Sequence, residues 1–197
     1  MAADSLVVHR VKECCVRLHS CVQKWQQLSS RGLDVASKLV QTVMQNKYME
    51  SESSFGVLQG DSTLPSVLEG KLMVERERLY SQLVDVKDKM LVVVQEMGRL
   101  TGSVSGAVEL LLCQGQDPSL PLFNTLPASV YSEYFTDLFQ AYSQDTCAKE
   151  SVVGDITRQG DKDILTVYLM CWLHQPYVTT QCTDKLEALL LDSGLRT

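Results

Sequence analysis

This 197-residue sequence lacks the short motifs on which nucleotide-dependent enzymes rely. It contains neither G-x-x-x-x-G-K-[ST] nor G-x-G-x-x-G, the two glycine-rich arrangements that cradle phosphates. It also has no C-x-x-C element, whereas zinc sites need four converging ligands that usually include one. These absences argue against an ATPase, a dinucleotide-dependent enzyme or a zinc protein, and we expect no cofactor.

Positive charge and long apolar runs are also scarce. The formal net charge of −6 argues against direct nucleic-acid binding, which needs a clustered Lys/Arg surface, and against acidic partners. No apolar run approaches the roughly 18 to 20 residues of a membrane span, so we expect no membrane partner. Seven cysteines without a secretory signal indicate reduced thiols in a cytosolic or nuclear protein.

Two groups of cysteine and histidine residues resemble sites, but packing explains them better. The first group comprises His9, Cys14, Cys15, His19 and Cys21. Cys14 and Cys21 fall on an apolar stripe at helical spacing, where small apolar side chains are expected. The second group is Cys171 with His174, which lacks an orienting acid and a nucleophile turn. We therefore predict no catalytic residue, no metal ligand and no enzymatic activity.

What the sequence does contain is a continuous apolar seam, in which steps of four and three residues alternate. The seam consists of Leu79, Leu83, Val86, Met90, Val93, Met97, Leu100, Val104, Ala107 and Leu111. A 3.5-residue spacing keeps one stripe on one side of an α-helix, whereas strand side chains alternate with a period of two. A helix over residues 65–113 would extend roughly 70 Å. Other helices or another chain must cover so long a seam, and we expect it to be longer than this chain can cover by itself.

The sequence before this helix predicts two shorter helices. The first, over residues 5–28, has its own seam of Val7, Val11, Cys14, Leu18, Cys21, Trp25 and Leu28. Ser29, Ser30 and Gly32 weaken the helix and predict a kink or a tight turn before a second helical stripe. Residues 49–64 show no period and predict a mobile loop.

The sequence after the long helix predicts a proline-containing connection and further helices. Residues 114–127 contain three prolines and predict an extended connection. Helical stripes follow, with breaks at Gly160 and Pro176. The fold class is therefore all-α: a long antiparallel helical hairpin or coiled-coil bundle over residues 1–113, with a smaller C-terminal helical cap over 128–197.

Two sets of residues are candidates for binding a partner protein. One is the seam of the long helix, of which we select Leu79, Leu83, Val86, Met90, Val93, Met97 and Leu100. The other is the block Trp172, His174, Gln175, Pro176 and Tyr177. Trp172 and Tyr177 suit two roles equally, either locking a helix onto the bundle or anchoring an interface.

Three segments resemble the cyclin-dependent kinase 2-interacting protein family. Residues 172–178 (WLHQPYV) and 186–196 (LEALLLDSGLR) resemble the C-terminus of that family, and residues 121–127 (PLFNTLP) resemble its proline-bounded segment. Lys24 and Trp25, with Leu28 and Gly32, fit its N-terminal helix. Between these blocks the resemblance is one of helical pattern.

The resemblance implies a small, nuclear, non-enzymatic adaptor with roles in DNA replication and checkpoint signalling. The partners it implies are cyclin-dependent kinase 2 complexes, checkpoint-kinase-associated proteins, AAA-type ATPases and a second coiled-coil subunit. It also implies membership of an assembly that acts in replisome protein turnover and ribosome biogenesis. A long apolar seam favours a hetero-oligomer over a homo-oligomer, and the alternative is a homodimeric coiled-coil spacer.

Overall fold

The computed structural model describes residues 2–49, 64–115, 117 and 119–196. Its helices are α1 (Ala2–Met49), α2 (Leu64–Cys113), α3 (Ala128–Asp155), α4 (Lys162–His174) and α5 (Thr180–Asp192). The described ranges contain no β-strand, so the predicted all-α class is confirmed. The loop predicted over residues 49–64 lies outside the described residues except at its two ends.

The chain divides into two compact units, each built from distant parts of the sequence. Unit 1 comprises Met1–Gln26, Met90–Thr146 and Gln175–Thr197. Unit 2 comprises Gln27–Lys89 and Cys147–His174. Helices α1, α2 and α3 therefore contribute residues to both units, whereas α4 lies in unit 2 and α5 in unit 1.

Helices α1 and α2 pack as the predicted antiparallel hairpin. In unit 1, the Arg10 Nε donates a hydrogen bond to the Ser103 Oγ over 3.0 Å, and Arg17 forms an ion pair with Glu96. The two contacts lie seven residues apart in both helices but in opposite order along the chain, so the helices run antiparallel. In unit 2, side chains from both helices line one cavity of about 410 Å³ beside Arg76.

The apolar seam of α2 is buried by this chain itself. All ten of its side chains are at most 7% exposed, and α2 is unbroken from Leu64 to Cys113. The expectation that the seam is too long for the chain to cover is therefore wrong, because apolar side chains of the other helices suffice. Those buried side chains include Trp25, Leu39, Phe135, Leu138, Leu165 and Leu189.

Helix α1 also corrects a prediction, because it continues without a turn through Ser29, Ser30 and Gly32. The predicted seam ended at Leu28, but Leu28 and Cys21 are only half-buried. From Trp25 the buried stripe instead continues in steps of four and three, through Ser29, Gly32, Ala36, Leu39 and Val43. The predicted break was wrong because Ser29 and Gly32 are small residues that, in the sequence alone, resemble helix breakers.

Trp172 explains why these seam positions hold small residues. Its indole Nε1 donates a hydrogen bond of 2.9 Å to the backbone carbonyl of Ser29. A Cβ atom on Gly32 would lie 2.3 Å from the Cζ2 and 2.9 Å from the Cε2 of Trp172. Real Cβ atoms do not approach other atoms so closely, so only glycine leaves room for the ring.

We predict that Gly32→Ala destabilises the protein, although alanine has the higher helix propensity. The methyl group must push the buried Trp172 ring aside, and such overpacking costs about 1 to 3 kcal/mol. Unfolding followed by circular dichroism measures the change.

Gly102→Ala is the matched control in α2, because a Cβ there meets nothing within 4 Å. It should stabilise the helix by about 0.5 to 1 kcal/mol. The same sign of change for both variants would contradict the packing of Trp172 against Gly32.

Candidate protein-interaction surface

The structure separates the predicted partner-binding residues into buried and exposed groups. The seven selected seam residues are buried, as is Trp172 at 1% exposure. Gln175 is half-buried, and His174, Pro176 and Tyr177 are exposed. Partner binding by the seam residues stays a prediction, but in this structure the accessible surface lies elsewhere.

Trp172 fixes the inner face of α4 within unit 2. Besides its hydrogen bond to α1, its ring lies 5.6 Å from the Nζ of Lys149, which is itself only 1% exposed. An ammonium group at this distance from an indole face makes a favourable cation–π contact. Leu165 is fully buried on the same side of α4. Trp172 is therefore a core residue of unit 2.

The outer face of α4 is apolar and exposed. Ile164, Val167, Met170 and Leu173 are between 38% and 63% exposed. No charged residue occurs between Asp163 and His174. Isolated apolar side chains on a surface are ordinary, but a contiguous row on one short helix is a candidate for an interaction surface. We call these four residues the α4 row.

The chain turns sharply after α4. Helix α4 ends at His174, and Gln175 adopts a left-handed conformation with φ of 47°. Pro176 then follows, which has no backbone N–H to donate to a continuing helix. The Val178 N–H donates to the Gln175 carbonyl over 2.9 Å and closes the turn. Tyr177, which lies in this turn, is 46% exposed.

In unit 1, Tyr177 lines a groove of about 320 Å³ between α3 and α5. Besides Tyr177, the polar residues of the groove are Asp137, Gln140 and Gln144 of α3, Thr179 just before α5, and Gln181 and Lys185 of α5. Lys185 forms an ion pair with Asp137, and its Nζ lies 5.4 Å from the Tyr134 ring. The hydrogen bond that Lys185 donates to the Asp137 carboxylate raises the pKa of Lys185, so the amine remains charged and paired. We call this the Tyr177 groove.

Asp192 ties two distant parts of unit 1 together at the end of α5. Its Oδ1 accepts hydrogen bonds from the backbone N–H of Thr125 at 2.6 Å and of Leu126 at 3.2 Å. The Thr125 hydroxyl donates to the same oxygen at 2.8 Å. Its Oδ2 accepts from the Tyr131 hydroxyl at 2.8 Å, and its backbone carbonyl accepts from the Asn124 amide. We call this set of bonds the Asp192 latch.

The electrostatics of the latch favour the ionised carboxylate. Burial raises the pKa of Asp192, but the hydrogen bonds from Thr125, Tyr131 and Leu126 outweigh it, and the pKa lies below the ordinary value of 3.8. Burial, followed by the bond to Asp192, raises the pKa of Tyr131. Tyr131 therefore remains a neutral donor, and Asp192 a charged acceptor.

The latch joins two of the segments that carry the family resemblance. Residues 121–127 turn back on themselves, with a bridge between Pro121 and Pro127 and a 2.9 Å bond from the Leu122 N–H to the Leu126 carbonyl. The donors to Asp192 come from this loop. Sequence reasoning missed Asp192; the available signal was one carboxylate directly after the apolar run of residues 189–191.

The buried cysteines are packing residues with poor reactivity. Burial raises the pKa of Cys15 to about 12 and also raises the pKa of Cys14 and of Cys21. Since the thiolate is the reactive and metal-binding form, these thiols suit a core. Among the described residues, no group of three His, Cys, Asp or Glu side chains is arranged to hold a metal ion. No helix in the same ranges combines the length and apolarity needed to cross a membrane.

We predict that Asp192→Ala destabilises the protein by about 3 kcal/mol, because it leaves several buried donors without an acceptor. Asp184→Ala is the control, since Asp184 is an exposed carboxylate on the same helix. Its effect should stay within about 0.5 kcal/mol. If chemical denaturation shows that the two variants lose the same free energy of unfolding, the result would contradict the latch.

We also predict that the contribution of Asp192 to stability disappears in acid. A carboxyl group with a lowered folded-state pKa stabilises the fold fully above its unfolded pKa, and this stability is lost as pH falls through the folded value. The difference in melting temperature between the wild type and Asp192→Asn should therefore shrink below about pH 4. A difference that stays constant from neutral pH into acid would contradict the charged latch.

Comparison with known proteins gives relatives that cover nearly the whole chain. No protein-family model matches the sequence. Proteins named cyclin-dependent kinase 2-interacting protein match it in Xenopus laevis at 29% identity over 199 residues, in Mus musculus at 25% over 197 and in Homo sapiens at 26% over 200. Each match covers 98% of this chain and 92% of the relative. The chain is thus similar along almost its entire length to the cyclin-dependent kinase 2-interacting proteins, and the resemblance predicted from its sequence is confirmed.

Proposed function

We propose that this chain is a non-enzymatic adaptor that binds other proteins, with a complex of cyclin-dependent kinase 2 as its partner. The observation that carries the proposal is the match over 98% of the chain to proteins named for that interaction. The match extends through both units, so the similarity concerns the whole set of helices and not one shared motif.

The Tyr177 groove is the surface that we propose for this partner. Its three glutamine amides can each donate and accept hydrogen bonds, as the peptide groups of an extended segment require. Tyr177 offers an apolar ring with a polar tip, and tyrosine is enriched at protein interfaces. The Lys185–Asp137 pair leaves no unpaired charge at that end of the groove. These features favour an uncharged, extended peptide segment over a phosphorylated one.

We expect Tyr177→Ala to weaken kinase binding at least tenfold, a loss of about 1.4 kcal/mol typical of an interface aromatic. Purified chain is immobilised, and binding of a purified complex of cyclin-dependent kinase 2 with its cyclin is measured by biolayer interferometry. Tyr48→Ala is the matched control, because Tyr48 is 64% exposed but lies in unit 2.

Two outcomes would contradict parts of this proposal. Absence of binding by the folded wild-type chain would remove the kinase as a direct partner. Binding that Tyr177→Ala leaves unchanged would retain the partner and exclude the groove.

The absence of enzymatic activity is part of the same proposal. It is supported by the raised pKa values of the buried thiols of Cys14 and Cys15 and of the half-buried thiol of Cys21. The remaining pair, Cys171 and His174, lies on α4, and within the described ranges neither side chain forms a hydrogen bond with a carboxylate that could orient it. Cys171→Ala and His174→Ala would therefore remove no activity of the purified chain.

Finer roles follow from the family resemblance alone. These are nuclear localisation, action in replication and checkpoint signalling, and membership of an AAA-type ATPase assembly with a second coiled-coil subunit, acting in replisome proteostasis and ribosome biogenesis. Burial of the α2 seam within the chain does not favour the alternative of a coiled-coil spacer. Any hetero-oligomer would use the exposed helical surfaces instead.

A further inference from the structure

The α4 row is the apolar surface that the proposed kinase-binding groove does not use. Val167 and Met170 occupy the centre of the outer face, and Asp163 and His174 extend it at four-residue steps on either side. The resulting 163–167–170–174 spacing is that of a coiled-coil seam, with Ile164 and Leu173 beside it. All six side chains are exposed in the chain as a whole.

This face is complementary to itself when two copies run antiparallel. A register that sets Val167 against Met170 of a second copy places Ile164 of both copies along one edge of the contact and Leu173 of both copies along the other edge. The same register sets Asp163 against the second copy's His174 at both ends of the contact, because positions 163, 167, 170 and 174 all lie near the middle of the outer face. A carboxylate then faces an imidazole N–H, which can donate to it in either protonation state of the ring.

We propose that the α4 row binds the α4 row of a second copy of this chain, forming an antiparallel two-fold dimer. Contact between identical surfaces related by a two-fold axis is the commonest symmetric arrangement of soluble proteins. The pairing of Asp163 with His174 supplies the charge complementarity, and the apolar centre supplies the burial. A helix from another protein would need an apolar row of the same spacing and an acidic and a basic residue in the reversed order. A second copy of this chain already has both.

The size of the contact predicts a weak dimer. Helix α4 has 13 residues and extends only about 20 Å at 1.5 Å per residue. A pair of such helices buries less than the roughly 1,000 Å² expected of a stable interface. The dimer should therefore dissociate in the micromolar range, in rapid exchange with the monomer.

Sedimentation velocity of the full chain, from low micromolar to several hundred micromolar, tests the proposal. The wild type should shift reversibly from monomer to dimer, and Val167→Glu and Met170→Glu should remain monomeric throughout. Val16→Glu is the matched control, because Val16 is 50% exposed on α1 in unit 1 and should leave the dimer intact. Circular dichroism verifies that each variant is folded.

Charge reversal tests the register. Asp163→Lys and His174→Glu should each weaken the dimer at least tenfold, because each sets like charges or two donors against each other. Combining the two changes in one chain restores opposite charges and should restore dimerisation. A double variant that stays as weak as the single variants would overturn the antiparallel register.

Two further results would overturn the dimer itself. One is a wild type that is monomeric at every concentration. The other is a dimer that Val167→Glu does not affect. If the wild type is monomeric and Val167→Glu abolishes kinase binding, the row accepts a different protein and the proposal fails. Kinase binding is measured in a separate experiment. A finding that the Tyr177 groove does not bind the kinase therefore does not decide whether the dimer forms.

Discussion

The packing of Trp172 against Gly32 is the contact on which the arrangement of unit 2 depends. Because the ring fills the space that a Cβ on Gly32 would occupy, α4 approaches α1 closely at one point along its length. The bond from the indole Nε1 to the Ser29 carbonyl fixes the rotation of α4 at that point. With the inner face fixed, Val167 and Met170 face solvent. The exposed row is thus a consequence of one buried contact.

The Asp192 latch has a comparable role in unit 1. The loop that holds Thr125 and Leu126 lies outside the five helices, so no helical hydrogen bond satisfies its backbone donors. A single buried carboxylate accepts from both of these residues and from Tyr131 of α3. The end of α5, the loop and the start of α3 are therefore held by one side chain. Loss of that side chain affects three elements together.

Periodicity predicted the helices well because it is a local property of the chain. The seam from Leu79 to Leu111 needed no knowledge of what covers it, and α2 spans it without interruption. The same reasoning failed at Ser29 and Gly32, since small residues resemble helix breakers until Trp172, more than 100 residues later, is placed against them. Asp192 escaped prediction for a similar reason, because its donors lie 61 to 68 residues away in the sequence. Contacts of this kind follow from tertiary structure, and no local pattern encodes them.

The placement of the tryptophans has a practical consequence for spectroscopy. The sequence contains two, and both are buried: Trp25 in unit 1, where its ring meets Tyr142 edge-on at 4.9 Å, and Trp172 in unit 2. Each unit thus carries one tryptophan, which is shielded from water. Replacing either indole by phenylalanine yields a chain whose emission reports on a single unit. Fluorescence can then establish whether the two units melt together or in sequence, without any attached dye.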